Sequence, residues 1–129
     1  MAYLDASAIV KIIAAEPESE ALVAYLGQVP AQTVTARIGM VEVMRAAARH
    51  GNVDVPRALS VLDALAYIEL TSEVAMRAGG LAPTSVRGLD AIHLASALGL
   101  RRELTAFVTY DERLADAARV HGLPVMSPA

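Results

Sequence analysis

Residues 89–100 read LDAIHLASALGL, and this stretch restricts the possible folds most sharply. Its composition is helical, and Leu89, Ile92, Leu94, Ala95, Ala97, Leu98 and Leu100 leave no broad polar face. A helix apolar on nearly every side belongs inside a protein, so the rest of the chain must supply layers to cover it. Yet Asp90 stands in its first turn and His93 one turn further on. A carboxylate at the mouth of a buried helix calls for a reason.

The covering layers are legible as alternating elements. Short apolar or β-branched runs predict strands at Tyr3-Leu4, Thr33–Thr35, Tyr67–Leu70 and Ala106–Thr109, with a fifth, edge strand at Pro124–Met126. Between them, helices are expected over Ala6–Ala15, from Pro17 to near Gly27, and over Ala36–His50 with Gly51 as its C-terminal cap. Further helices follow Asp54, with Pro56 in the first turn, run from Ser72 into Gly79-Gly80, and cover Asp111–His121 up to Gly122. Residues 82–88 form a loop. Strand and helix alternate throughout, which implies an α/β fold with a parallel sheet and right-handed crossovers. A length of 129 residues suits one domain spanning residues 1–129, and no repeat, low-complexity run or linker interrupts it. With four Tyr, one Phe and no Trp, the core must be built from Ala, Val, Leu and Ile, as buried parallel sheets are.

Several classes fall away. The absence of cysteine excludes disulfides and thiolate metal sites. The N-terminal segment has an acid at position 5 and no basic region before its apolar run, unlike a signal peptide. The longest uncharged stretch, Ala21–Ala36, is broken by Gly27, Gln28, Pro30 and Gln32, so no membrane span is expected and a cytoplasmic protein is. A net charge of −3 argues against a simple electrostatic nucleic-acid binder. No Gly-rich phosphate loop is present. Position 7 is Ser where haloacid-dehalogenase phosphatases need a second Asp, and Lys11, the only Lys, is misplaced for a response-regulator receiver.

In parallel α/β sheets, ligands bind beyond the carboxyl ends of the strands. Asp5 ends the first expected strand, Asp111 follows the fourth by two residues, Glu42 lies in the helix after the second, and Asp90 opens the buried helix. Converging carboxylates repel and raise one another's pKa, and a divalent cation relieves this. Oxygen donors without thiolates point to Mg²⁺ or Mn²⁺, which can activate water and steady charge on a scissile phosphate. Two such ions add four positive charges and move −3 to +1, so an acidic chain can still accept nucleic acid. Each acid also has a plainer reading. Asp90 and Asp111 sit where acids stabilise a helix start, Asp5 can cap the first helix, and Glu42, mid-helix among Met40, Val41, Val43 and Met44, can face solvent.

These residues resemble the PIN-domain nucleases, and among them the VapC toxins of toxin–antitoxin pairs. The likeness rests on YLDASAIVK, the Glu42 helix, LDAIHLASALGL and AFVTYDERLADAA followed by GLPV, and covers nearly the whole chain. It implies a parallel five-stranded sheet flanked by helices, and Mg²⁺- or Mn²⁺-dependent endoribonuclease activity with one or two ions. It implies that Asp5, Glu42, Asp90 and Asp111 are catalytic and metal-binding, with Ser7 and Thr109 as hydroxyls behind them. It also implies an RNA substrate, a VapB-like antitoxin whose tail crosses the acidic cleft, and a homodimer. Rival expectations are a PIN module that binds RNA or protein without cutting, and a nuclease acting on DNA.

Other residues carry smaller expectations. Arg87, in the loop before Asp90, is a candidate phosphate contact. His93 can reach the site but reads more readily as a hydrogen-bonded core residue. His50 and His121 belong to helix ends, Asp116 to a salt bridge or the surface, and Arg101-Arg102 to a solvated helix terminus. Met40 and Met44 read as core, with a partner's helix as the alternative, and Ala46–Ala48 suits close packing in a dimer.

Overall fold

The aromatic rings of Tyr3 and Phe107 stack with centroids 5.1 Å apart and planes 2° from parallel. They are register partners on two neighbouring parallel strands, β1 (Ala2–Leu4) and β4 (Ala106–Val108), whose six residues are all buried. Side chains alternate across a strand, so Tyr3 and Phe107 fill one face while Leu4 and Val108 fill the other. A sheet buried on both faces needs helices on both, and the computed structural model, which describes residues 1–51 and 53–129, has them.

Three further strands complete the sheet: β2 (Thr33–Ala36), β3 (Ala66–Ile68) and β5 (Val125–Met126). Their order is β3-β2-β1-β4-β5, and every pairing is parallel. On the Leu4 face lie α1 (Ala6–Ile13), α2 (Ser19–Gln28), α3 (Arg37–Arg49) and α4 (Val55–Asp63), through Ala8, Ile9, Leu22, Val43 and Leu62. On the Phe107 face lie α6 (Gly88–Leu98) and α7 (Glu112–Val120), through Leu94, Ala97, Leu114 and Ala118. Helix α5 (Ser72–Gly79) packs on α6, and its Arg77 donates to the Ala95 carbonyl. The helix in LDAIHLASALGL is thus enclosed, as its composition requires: every position from Ala91 to Ala97 except Ile92 is buried. The chain reverses direction across the sheet between β1 and β4, the place where such folds open a crevice.

The expected elements all form, with shifted ends that have local causes. The second helix starts at Ser19 rather than Pro17, because the Ser19 hydroxyl turns back to the Ala14 carbonyl and accepts from the Glu16 amide. The third strand is Ala66–Ile68, not Tyr67–Leu70: Glu69 leaves the sheet to take the Arg37 guanidinium in a two-pronged ion pair. Gly51 is not a left-handed cap. The His50 amide closes α3 on the Ala46 carbonyl, and among the described residues only Gly122 has positive φ, at 75°. There the Leu123 amide reaches back to Ala118, so Gly122 ends α7 as its sequence predicts. No helix among the described residues is long and apolar enough to cross a membrane.

Gly39 lets α3 settle against the sheet. A Cβ there would lie 2.7 Å from Thr35 Oγ1 and 3.5 Å from His93 Cε1. Thr35 is fully buried in β2 and cannot withdraw freely. Overpacking of this kind costs about 1–3 kcal/mol, which outweighs the ~1 kcal/mol that alanine gains over glycine in a helix. Gly39→Ala is therefore expected to lower the urea midpoint at an unchanged m-value, despite its better helix propensity.

Candidate active site

Asp5 is the first residue after the central strand and is almost wholly buried, 3 % exposed. Its carboxylate is held by three donors. Oδ1 accepts from the Ser7 hydroxyl at 2.6 Å and from the Ala8 amide at 2.9 Å, which caps α1. Oδ2 accepts from the Thr109 hydroxyl at 2.6 Å. The two hydroxyls are themselves fixed: Ser7 Oγ accepts from the Tyr110 amide at 2.9 Å, and Thr109 Oγ1 from the Asp111 amide at 3.1 Å. Ser7 and Thr109 thus join the end of β1 to the loop after β4, and the expected supporting positions touch Asp5 directly. Burial still pushes the Asp5 carboxyl above its ordinary range, against the pull of the Ser7, Thr109 and Ala8 hydrogen bonds.

The other three acids line one cleft of about 590 Å³ together with Arg87, Gly88, Leu89 and Ile92. Asp111 is exposed and caps α7, its Oδ1 accepting from the Arg113 and Leu114 amides. Asp90 is half-buried in the first turn of α6. Its pKa is raised by burial first and then by the Asp111 charge, with Glu42 and Asp5 adding to it and His93 opposing. Glu42 does not simply face solvent. Its Oε1 lies 2.6 Å from His93 Nε2, and the Glu42 side chain keeps 27 % exposure while that of His93 keeps 2 %. The plain cap readings of Asp5 and Asp111 and their place at the site hold together: each acid has an oxygen on a helix and lies at the carboxyl end of the sheet.

The four acids share one end of the sheet without forming a ready-made cage. Among the described residues no three carboxylate or imidazole groups stand close enough to enclose an ion. Asp5 commits both of its oxygens to protein donors, and Asp111 and Glu42 commit one each. Arg87, the residue before α6, is exposed at the cleft. Its loop also borders a second hollow of about 380 Å³ that contains Val86, Arg113, Leu114 and Val120.

Several residues lie elsewhere. Asp116 pairs with Arg119 at 3.1 Å, and His121 Nε2 donates to the Ala82 carbonyl. Lys11 is held by Glu16 and Glu18 beside the Tyr110 ring, away from any catalytic position. His93 is the buried, hydrogen-bonded residue that its apolar helix predicts, and it also holds a site acid. Tyr3 escaped notice in the sequence. Its hydroxyl lies 2.6 Å from His93 Nδ1 and accepts from the Ala36 amide at 3.2 Å. A lone tyrosine in a buried strand was the available signal, because a buried phenol needs a polar partner.

A family model described as PIN domain matches residues 2–120. The chain belongs to the PIN-domain family. It is 42% identical to Ribonuclease VapC47 of Mycobacterium tuberculosis, over 99% of this chain and 97% of that protein. It is 41% identical to Ribonuclease VapC46 of the same species, over 98% and 97%. Among solved structures, a toxin-antitoxin complex from Klebsiella pneumoniae matches with a TM-score of 0.76 at 23% identity, covering 100% of this chain and 98% of that one. The α/β architecture is therefore the PIN fold.

The raised carboxyls have a measurable consequence. An acid whose pKa is higher in the folded than in the unfolded state adds stability below the unfolded pKa and loses it as pH rises through the folded value. Asp5 and Asp90 are of this kind. In metal-free protein, Asp90→Asn is expected to raise the melting temperature by a few degrees at pH 7. The gain over the parent should shrink as pH is lowered through the carboxylate range, as followed by circular dichroism.

Proposed function

We propose that this PIN domain, spanning residues 1–129, is a divalent-cation-dependent endoribonuclease and the toxin half of a toxin–antitoxin pair. The observation that carries this reading is the gathering of Asp5, Glu42, Asp90 and Asp111 at the carboxyl end of the sheet. It occurs in a chain about two-fifths identical to VapC ribonucleases over its full length.

The donor set fits a hard divalent ion. Four carboxylates and no thiolate supply only oxygen ligands. Burial holds Asp5 and Asp90 up toward protonation, repulsion from Asp111 adds to it at Asp90, and a nearby cation would oppose both. Asp5, Asp90 and Asp111, with Glu42, would hold one or two Mg²⁺ or Mn²⁺ ions. When bound, the ion lowers the pKa of water and steadies charge on a scissile phosphate. The chain does the positioning. Ser7 and Thr109 hold the Asp5 carboxylate on the central strand, and His93 holds Glu42 at the cleft. Arg87 is placed to meet a phosphate of the RNA.

The partner reading draws on the surface as well as on the relatives. A groove of about 680 Å³ between α3 and α4 is lined by Met40, Met44, Leu59 and Tyr67, with Val41 and Leu59 more than half exposed. Such a surface suits a VapB-like antitoxin helix, and the alanine run at Ala46–Ala48 suits a second copy of the chain.

Incubation of total RNA with purified, partner-free protein tests the activity, with Mn²⁺, Mg²⁺ or EDTA and a matched single-stranded DNA alongside. Discrete RNA fragments that need metal and are lost in Asp5→Asn and Asp90→Asn are the expected result. Metal binding without cutting would move the reading to a binding module, and cutting of DNA alone to a DNA nuclease. Thr109→Val keeps the side-chain shape but removes the donor on Asp5 Oδ2, and is expected to slow cleavage about 10–100-fold.

A further inference from the structure

We infer that Tyr3 and His93 are positioning residues that fix the orientation of the Glu42 carboxylate through a buried chain of directed hydrogen bonds. The direction follows from a proton count. The Tyr3 oxygen accepts the Ala36 amide proton at 3.2 Å, and His93 Nδ1, 2.6 Å away, is the partner we assign as acceptor of the phenol's own proton. An imidazole that accepts at Nδ1 carries its proton on Nε2. That N–H donates to Glu42 Oε1 at 2.6 Å. The inferred order is Ala36 amide to Tyr3 hydroxyl to His93 to Glu42.

The surroundings hold this chain in place. Tyr3 is fully buried, and burial pushes its phenol well above the ordinary range, so the hydroxyl stays a donor. Phe107 stacks on one side of its ring, and His93 meets it edge-on with centroids 5.8 Å apart. Gly39, one helical turn before Glu42 on α3, lies beside the same ring: a Cβ added there would stand 3.5 Å from His93 Cε1. Four segments thus converge: β1 gives Tyr3, the end of β2 gives Ala36, α6 gives His93 and α3 gives Glu42. The opposite Glu42 oxygen, Oε2, has no hydrogen-bond partner among the described residues. Tying down one oxygen while leaving the other open is how a supporting histidine presents a carboxylate to a ligand.

The link from Glu42 to cation binding rests on the proposed nuclease reading. The chain itself does not, and two measurements separate them. Long-range proton–nitrogen NMR on metal-free protein reads the His93 tautomer, and the Glu42 side-chain carboxyl carbon reads the other end. The expected result in the parent is a proton on His93 Nε2 with Nδ1 as the acceptor. Tyr3→Phe, which keeps the ring stack, should lose that single form and shift the Glu42 carbon. An Nδ1–H form in the parent, or Tyr3→Phe spectra unchanged at both residues, overturns the inference.

The second measurement is Mn²⁺ affinity by calorimetry. Tyr3→Phe and His93→Leu are each expected to weaken it about 10-fold, and His93→Gln, whose amide places a donor near the Nε2 position, to recover most of it. In a Glu42→Gln background the Tyr3→Phe loss should vanish, because the route runs through that carboxylate. An equal loss in both backgrounds means a general structural effect and overturns the inference. A parent that binds no Mn²⁺ and cuts no RNA defeats the nuclease reading, while the tautomer result still decides the hydrogen-bond chain.

Discussion

The Asp5 carboxylate is the fixed point of the structure. It sits at the end of the central strand, out of water, and is bearable there only because Ser7, Ala8 and Thr109 all donate to it. Those donors come from both sides of the β1–β4 crevice, so satisfying one buried charge also sets how the start of α1 meets the loop after β4. The Tyr110 and Asp111 amides extend the same network toward the cleft. The position of Asp111 therefore follows from the solvation needs of Asp5.

The apolar helix at residues 88–98 answers the question raised by its sequence. Its burial gives rigidity, and its two polar exceptions use that rigidity differently. Asp90 sits in the first turn, where the helix emerges into the cleft, while His93 lies one turn deeper and meets Tyr3 and Glu42. A histidine surrounded by Leu94, Ala95 and Ala97 would be costly without partners at both ring nitrogens, and it has them. Core packing and site construction are here one set of contacts.

Much of this was legible before any coordinates. The alternation of short apolar runs with helical segments announced the parallel α/β order, and the five strands and seven helices it implies form in that order among the described residues. Asp5, Asp90 and Asp111 stand out because each lies near a strand's carboxyl end or a helix start, and Glu42 because it is an acid in an otherwise apolar stretch of helix interior. Element ends were less legible, since they are decided by pairs far apart in sequence. Glu69 leaves the third strand for Arg37, 32 residues away, and Ser19 delays α2 by bonding back to Ala14. The same limit hid Tyr3, whose partner is 90 residues distant. Nothing local to YLD says that the phenol will find an imidazole.

Two of the four proposed site acids also start helices, and this divides the ways in which the protein can be silenced by chance. Asp5 and Asp111 each hold backbone amides as well as facing the site, so replacing either by a residue without an acceptor removes a helix start along with the chemistry. Glu42 and Asp90 hold no backbone amide, so a change at Asp90 spares the scaffold, while a change at Glu42 does so only if the replacement still partners the buried His93 Nε2. If the chain burdens its host, escape mutants that still accumulate as folded, partner-competent protein should concentrate at Asp90, and at Glu42 where the new side chain still accepts from His93. Losses at Asp5 and Asp111 would surface instead as missing protein. The double use of two carboxylates thus gives inactivated descendants of this gene two different fates, one as a folded decoy and the other as a target for degradation.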